Sequence, residues 1–176
     1  MIGILKLKAI GMHTLINYII QQLSEIQEGK VWVGSTYQRK LESINENNAF
    51  IRPLPKLHSV AEIISHLTTW QRETILKIKV GEGRLTDDSE ENWFSNEKLR
   101  EKGWAWILNE YEASLAELLA LLKTKADSFL YEEYYDTDFK GNFPYSFVVN
   151  GMLHHSIYHL GQLGIIIKYL KQLDTH

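Results

Sequence analysis

Two histidines four residues apart, His155 and His159, are the side chains of this sequence whose type and spacing could do chemistry. Residues i and i+4 of a helix lie side by side, so both imidazole rings can reach one cation. On a helical projection the pair falls on the apolar side of its segment, together with Val148, Ile166 and Leu173. A buried polar group without a partner costs about 1–3 kcal/mol. The pattern therefore predicts either a metal site or a pair of hydrogen-bonded core histidines.

A third histidine, His66, favours the metal site. It lies near Ile63 and Trp70, at the edge of the apolar face of an earlier predicted helix. Three neutral imidazoles with one open position are typical of catalytic zinc sites. We therefore expect His66, His155 and His159 to bind one divalent ion. The expected catalytic group is a metal-bound water or the thiol of a substrate.

Gln162 lies on the same face as His159 and is a candidate for orienting a histidine ring or a metal-bound water. The alternative is a buried amide that is hydrogen-bonded to a neighbouring helix. The other histidines are interpreted as structural or solvent-exposed, and these are His13, His58, His154 and His176.

The composition of the chain is that of one globular domain spanning residues 1–176. The net charge of -3 offers no basic excess for nucleic acid. The chain has no cysteine, so a cysteine nucleophile and a zinc-thiolate site are excluded and any reacting thiol must come with a substrate. No uncharged apolar run approaches about 18 residues, so we expect no membrane partner and a cytoplasmic location. Residues 1–11 are a poor signal peptide and a candidate extension before Met12, which is then the natural start.

Four long helical patterns predict an all-α fold, a four-helix bundle. Ser59 and Glu62 form a capping box before the second helix, which ends near Gly81. Ser95 is the expected N-cap of the third helix, and Pro144 the expected first residue of the fourth. Ser35 is expected to cap a short helix between the first two. The long helices are predicted at about residues 13–27, 60–80, 96–122 and 144–173.

An aromatic-rich segment separates the third and fourth helices. The favoured interpretation is a loop that covers the core with its rings. Alternation at Tyr131, Glu133 and Tyr135 also permits a short extended piece, and the rings could instead form a wall of a ligand pocket. The eight aromatic residues are Phe129, Tyr131, Tyr134, Tyr135, Phe139, Phe143, Tyr145 and Phe147.

The sequence resembles the DinB-like (damage-inducible) family, which is related to the YfiT-type metal-dependent hydrolases. Residues 151–162, GMLHHSIYHLGQ, are similar to the family's G-x-x-x-H-x-x-x-H-x-G-Q helix. Residues 58–70, HSVAEIISHLTTW, are similar to its segment with a metal-binding histidine, and residues 29–34, GKVWVG, resemble its turn after the first helix. The resemblance implies an up-down-down-up bundle, often a homodimer, in which His66, His155 and His159 hold zinc, nickel or a similar ion.

The resemblance also implies a function. Characterised relatives include S-transferases that use bacillithiol, mycothiol or glutathione, so we expect a metal-dependent enzyme that activates a low-molecular-weight thiol and acts on a small-molecule substrate. A hydrolase that uses metal-bound water is the alternative. A non-catalytic, metal-stabilised binding or stress-response module is the rival from another class, and a cavity beside the metal would argue against it.

Overall fold

The computed structural model describes residues 14–173 of the chain. The predicted extension at residues 1–11 and the candidate start Met12 lie outside the described residues, as do His13 and His176. Within the described part, no helix is long and apolar enough to cross a membrane. The α-helices and strands are α1 (Thr14–Glu28), α2 (Tyr37–Leu41), α3 (Val60–Val80), α4 (Asn96–Arg100), α5 (Trp104–Lys123), β1 (Glu133–Asp136), β2 (Gly141–Pro144) and α6 (Tyr145–Leu173), with short 3-10 helices at Glu90–Asn92 and Asp127–Tyr131.

The four long helices α1, α3, α5 and α6 form the predicted four-helix bundle. Helix α3 packs most extensively on α5 and α6, and α1 contacts α5 and α6 but lies diagonally across from α3. Ion pairs join Arg72 to Glu110 and Lys79 to Glu117. Because the residue numbers rise together in these pairs, α3 and α5 run parallel, which requires the long connection between them.

The other contacts fix the remaining directions. Thr74 of α3 contacts Met152 of α6 while Lys77 meets Tyr145, so these two helices are antiparallel. Helix α1 is antiparallel to α5, since Gln27 near its end contacts Tyr111 near the beginning of α5. The helix directions are therefore up, down, down and up, as predicted.

The ends of α3 confirm two sequence predictions. Ser59 Oγ accepts a hydrogen bond from the backbone N–H of Glu62, and the Glu62 carboxylate accepts one from the N–H of Ser59 at 2.7 Å. This is the predicted capping box, which satisfies N–H groups that the helix leaves free. Gly81 ends the helix with a left-handed backbone (φ 82°) that other residues adopt at a cost.

Three other boundaries differ from their predictions. Thr36, and not Ser35, caps α2. Ser95 caps only the five-residue α4. Gly103, with φ 80°, is not helical and separates α4 from α5, which begins at Trp104. Pro144 is the last residue of β2 and not the first residue of α6. A proline has no N–H to donate, so it fits the end of a two-stranded hairpin as well as the first turn of a helix.

The aromatic segment forms an antiparallel hairpin, so the loop interpretation is wrong for the hairpin residues. The extended alternative holds for Glu133 and Tyr135 but not for Tyr131, which ends a short 3-10 helix before the hairpin. Glu133 pairs with Pro144, and Asp136 pairs with Gly141. Alternate residues of β1 point inward, and these are Tyr134 and Asp136. The all-α class holds for the bundle itself, and the hairpin is an addition that covers one end of the groove between α3 and α6.

Candidate metal centre

Helices α3 and α6 bring the three predicted histidines together. The Nε2 atom of His155 lies 2.9 Å from that of His66 and 2.8 Å from that of His159. One ring nitrogen from each residue lies within 4.8 Å of the other two. The antiparallel packing of α3 on α6 places His66 opposite the helical turn that carries the other two rings.

The burial of the three rings is uneven. His159 is 3% exposed and His66 is 6% exposed, whereas His155 is half-buried. The predicted centre of the α6 face was therefore misplaced, because Val148 is only half-buried and Leu173 is exposed. Helix α6 packs against both α3 and α1, which turns its buried side toward Met152, Ser156, His159 and Leu163.

Two oxygen acceptors fix which nitrogens of His66 and His159 carry hydrogen. His66 Nδ1 lies 2.8 Å from the backbone carbonyl oxygen of Asn92, and His159 Nδ1 lies 2.7 Å from Gln162 Oε1. An imidazole that donates from Nδ1 presents a lone pair at Nε2 when it is neutral. His155 Nε2 can donate a hydrogen bond to only one of these two lone pairs. The converging nitrogens therefore suit a shared cation better than hydrogen bonding among themselves.

Burial keeps these rings neutral. It lowers the pKa of His66 and of His159 to about 4, and that of His155 to about 3, with mutual repulsion between the rings adding to the effect for His66 and His155. At neutral pH the cluster thus offers three uncharged nitrogen donors. This donor set fits a divalent ion such as Zn²⁺ or Ni²⁺.

The depressed pKa values predict that metal-free protein loses stability in weak acid. Between about pH 6.5, the unfolded value, and about pH 4, the unfolded histidines bind protons that the folded rings reject, so acid favours unfolding. We expect urea denaturation of chelator-treated protein to give a lower free energy of unfolding at about pH 5 than at about pH 7. The His155→Asn variant should show a smaller difference, and an equal difference would contradict the assignment.

The sequence did not predict the aromatic stack that holds His66. The Trp93 ring lies between two imidazoles, with its centroid 3.8 Å from His66 and 3.7 Å from His58, and both pairs are nearly parallel. Trp93 and Asn92 belong to the connection between α3 and α4. The sequence feature that could have indicated them is the neighbouring pair of an amide, Asn92, and an indole, Trp93, in an otherwise polar connection. His58, predicted to be structural or exposed, is half-buried and packs on the stack.

Gln162 has the predicted contact with His159. Its amide nitrogen also donates to the Tyr158 hydroxyl at 2.9 Å, which orients the amide so that its oxygen faces the ring. Both hydrogen-bond partners of the half-buried Gln162 lie in α6 itself, so the alternative of an amide bonded to a neighbouring helix is wrong. His154 is exposed, as predicted, and lies at the rim of the adjacent cavity.

A cavity of 730 Å³ opens beside the cluster, between α3, α6 and the hairpin. His66 and His155 line it, and so does Trp70. Three of the eight aromatic residues of the aromatic-rich segment form its wall, whereas Phe129 and Tyr145 stack together in the core. The pocket interpretation of the aromatic segment therefore holds for Tyr134, Phe139 and Phe147.

A buried ion pair forms the hairpin end of the cavity. Lys77 Nζ donates to Asp136 Oδ2 at 2.9 Å, and the Tyr134 hydroxyl donates to the same oxygen at 2.7 Å. The other oxygen of Asp136 accepts from the backbone N–H groups of Asp138 and Phe139. Burial alone raises the pKa of Asp136, but these donors outweigh it and hold the pKa below its usual value. The carboxylate is thus ionised and ties the hairpin to α3.

The comparisons with known proteins agree with the four-helix fold. The family model of the DinB superfamily matches residues 32–163. None of the curated proteins matches the chain. Among solved structures, YfiT from Bacillus subtilis, described as a probable metal-dependent hydrolase with an unusual four-helix bundle topology, is similar with a TM-score of 0.59. The sequences are 13% identical, and the match covers 98% of this chain and 95% of that chain.

Proposed function

Because the chain belongs to the DinB superfamily and carries a cluster of three neutral histidines, we propose that it is a metal-dependent enzyme. His66, His155 and His159 bind one divalent ion, Zn²⁺ or Ni²⁺, through their Nε2 atoms. The preferred reaction is transfer of a low-molecular-weight thiol to a small electrophile. The likeness to YfiT, with its description as a probable hydrolase, makes metal-dependent hydrolysis the second candidate.

The observation that carries the proposal is the position of the cavity. His66 and His155 lie in its wall, so a molecule in the cavity can reach the cluster. A purely structural site is closed by its own ligands and surroundings. The cavity volume of 730 Å³ is in the range of ligand sites of about 300–1,000 Å³. The aromatic wall therefore borders the cluster without sealing it.

The placement of carboxylates favours thiol transfer over hydrolysis. A divalent ion held by three neutral imidazoles lowers the pKa of a coordinated thiol or water enough to give a nucleophile at neutral pH. A free thiol has a pKa near 8.5, so it needs no further base, whereas water gains from a nearby carboxylate. Two of the three carboxylates that line the cavity, Asp87 and Asp138, are joined by a hydrogen bond from the backbone N–H of Asp87 and lie at its hairpin end. The third, Asp136, is bonded to Lys77, which is about 16 Å along α3 from His66. It is also saturated with donors and cannot serve as that base.

A paired assay tests the function. Protein loaded with Zn²⁺ or Ni²⁺ is incubated with a chlorinated fluorogenic electrophile, with and without N-acetylcysteine, and separately with p-nitrophenyl acetate. We expect thiol conjugation that disappears after chelation and returns with metal. Ester cleavage alone would support the hydrolase. The absence of any metal-dependent turnover would favour the non-catalytic module.

The hydrogen bond from His159 to Gln162 leads to a separate prediction about metal affinity. Gln162→Leu removes the acceptor that fixes the ring, so we expect the affinity for Zn²⁺ to fall by about 10–100-fold. Gln162→Glu keeps an acceptor of the same length and should retain most of the affinity. Competition with a chromogenic chelator measures the Zn²⁺ affinity of both variants. Equal Zn²⁺ affinities in Gln162→Leu and Gln162→Glu would show that Gln162 does not orient His159.

A further inference from the structure

Gly151, in the middle of α6, has no structural reason to be glycine in the part of the chain that the structure describes. Its φ is not in the left-handed region, and a Cβ built on it would meet no atom within 4 Å. Glycine disfavours a helix interior because it gives the unfolded chain more freedom. The residue must therefore be explained by something other than backbone conformation or the packing of the protein on itself.

The location of Gly151 supplies the explanation. It lies in the wall of the cavity that His66 and His155 also line. It precedes His155 by four residues, so its Cα is about 6 Å along the helix axis, one turn from the cluster. At this residue the wall of the cavity is bare helix backbone, which is a flat strip that any side chain would cover.

On α6 the cavity wall beside Gly151 includes the apolar Phe147 and Val148 and the polar Asn150. Trp70 and Phe147 line the same cavity, and Met152 is buried next to it. The charged groups lie at the hairpin end, where Lys77 and Asp136 are paired with each other and Asp87 and Asp138 also line the wall. Aromatic side chains bind planar groups by stacking or by edge-to-face contact. The chemistry of this part of the cavity therefore suits a flat, uncharged group.

We propose that Gly151 determines the specificity of this enzyme for substrates with a flat apolar body, an aromatic or conjugated group. The body lies against the α6 backbone at Gly151, in the cavity that Trp70 of α3 and Phe147 of α6 also line, and its reacting atom is one helical turn away at the histidine cluster. The proposal rests on the proposed function for the reaction. The room beside the Gly151 backbone is a property of the cavity, so ligand binding tests it without any measurement of turnover.

Binding of indole, a planar uncharged probe, tests the proposal. Isothermal titration of indole is compared in the wild type, Gly151→Ala, Gly151→Leu and Gly161→Leu. Gly161 is a matched control because it lies in the same helix, is exposed and also has open space around its Cβ. Both leucine variants should be at least as stable as the wild type, with a Tm higher by about 2 °C.

We expect Gly151→Leu to weaken indole binding by about tenfold or more, Gly151→Ala to have a smaller effect, and Gly161→Leu to have none. Wild-type affinity in Gly151→Leu, or no indole binding to the wild type, would overturn the proposal. Zn²⁺ content is measured in parallel. A protein that binds no Zn²⁺ but binds indole through Gly151 would contradict the proposed function and not this inference. A protein that binds Zn²⁺ but not indole would contradict this inference and not the proposed function.

Discussion

His159→Ala is expected to abolish metal binding and, with it, any metal-dependent turnover. His159 is the most buried of the three rings, and its Nε2 faces the half-buried His155 at 2.8 Å. Removing a ligand should cost more affinity than losing a partner outside the ligand shell, which is about 10–100-fold. We therefore expect the purified variant to contain less than a hundredth of the wild-type metal at limiting Zn²⁺, with His66→Ala and His155→Ala behaving alike.

Elemental analysis of the purified variants measures this effect. His154→Ala is the matched control, because this histidine is the neighbour of His155 on α6 but is exposed and outside the cluster. It should retain its metal. Undiminished metal in both His66→Ala and His155→Ala would eliminate the three-histidine site. Circular dichroism of each variant separates loss of the ligand from loss of the fold.

Asp136→Ala is expected to cause the largest loss of stability, because it leaves Lys77 charged and buried without its partner. The two side chains are 2% and 4% exposed and 2.9 Å apart. Breaking such a pair on one side costs about 3–5 kcal/mol. Urea denaturation should show a free energy of unfolding that is lower by this amount, and the hairpin should be the region that loses protection from hydrogen exchange first.

Two comparisons make this prediction specific. The double variant Lys77→Met/Asp136→Ala removes both charges and should be more stable than Asp136→Ala alone. The exposed pair of Lys79 and Glu117, at 2.7 Å, joins the same helix to α5, and Glu117→Ala should cost less than about 1 kcal/mol. Equal losses from Asp136→Ala and Glu117→Ala would show that the buried pair does not stabilise the hairpin.

Helix periodicity and capping were sufficient to predict the bundle, because long amphipathic helices depend on local pattern. The capping box of Ser59 and Glu62 and the stop at Gly81 are examples. The short elements were less predictable. Ser95 has the chemistry of an N-cap wherever a helix follows, so its type could not reveal that only five residues of helix come next.

The clustering of the three histidines was predictable from the sequence, and their surroundings were not. The spacing of His155 and His159 on an apolar helix face indicates this pair, and the position of His66 at the edge of a second apolar face indicates the third histidine. Trp93 and the carbonyl of Asn92 reach His66 from a connection without periodicity, so only the folded chain shows them. Lys77 and Asp136 are 59 residues apart, and neither has a sequence pattern that indicates a buried pair.

The position of α6 after the other three bundle helices has a consequence for the order of assembly during synthesis. As the chain emerges from the ribosome, α1, α3 and α5 can associate before α6 exists, but α6 supplies two of the three histidines and one whole side of the cavity. His66 and His155 are 89 residues apart in the sequence, so their contact forms more slowly than the local contacts within each helix. A nascent chain arrested before α6 would therefore expose the apolar faces that α6 covers. Such a chain would be prone to aggregation until α6 docks.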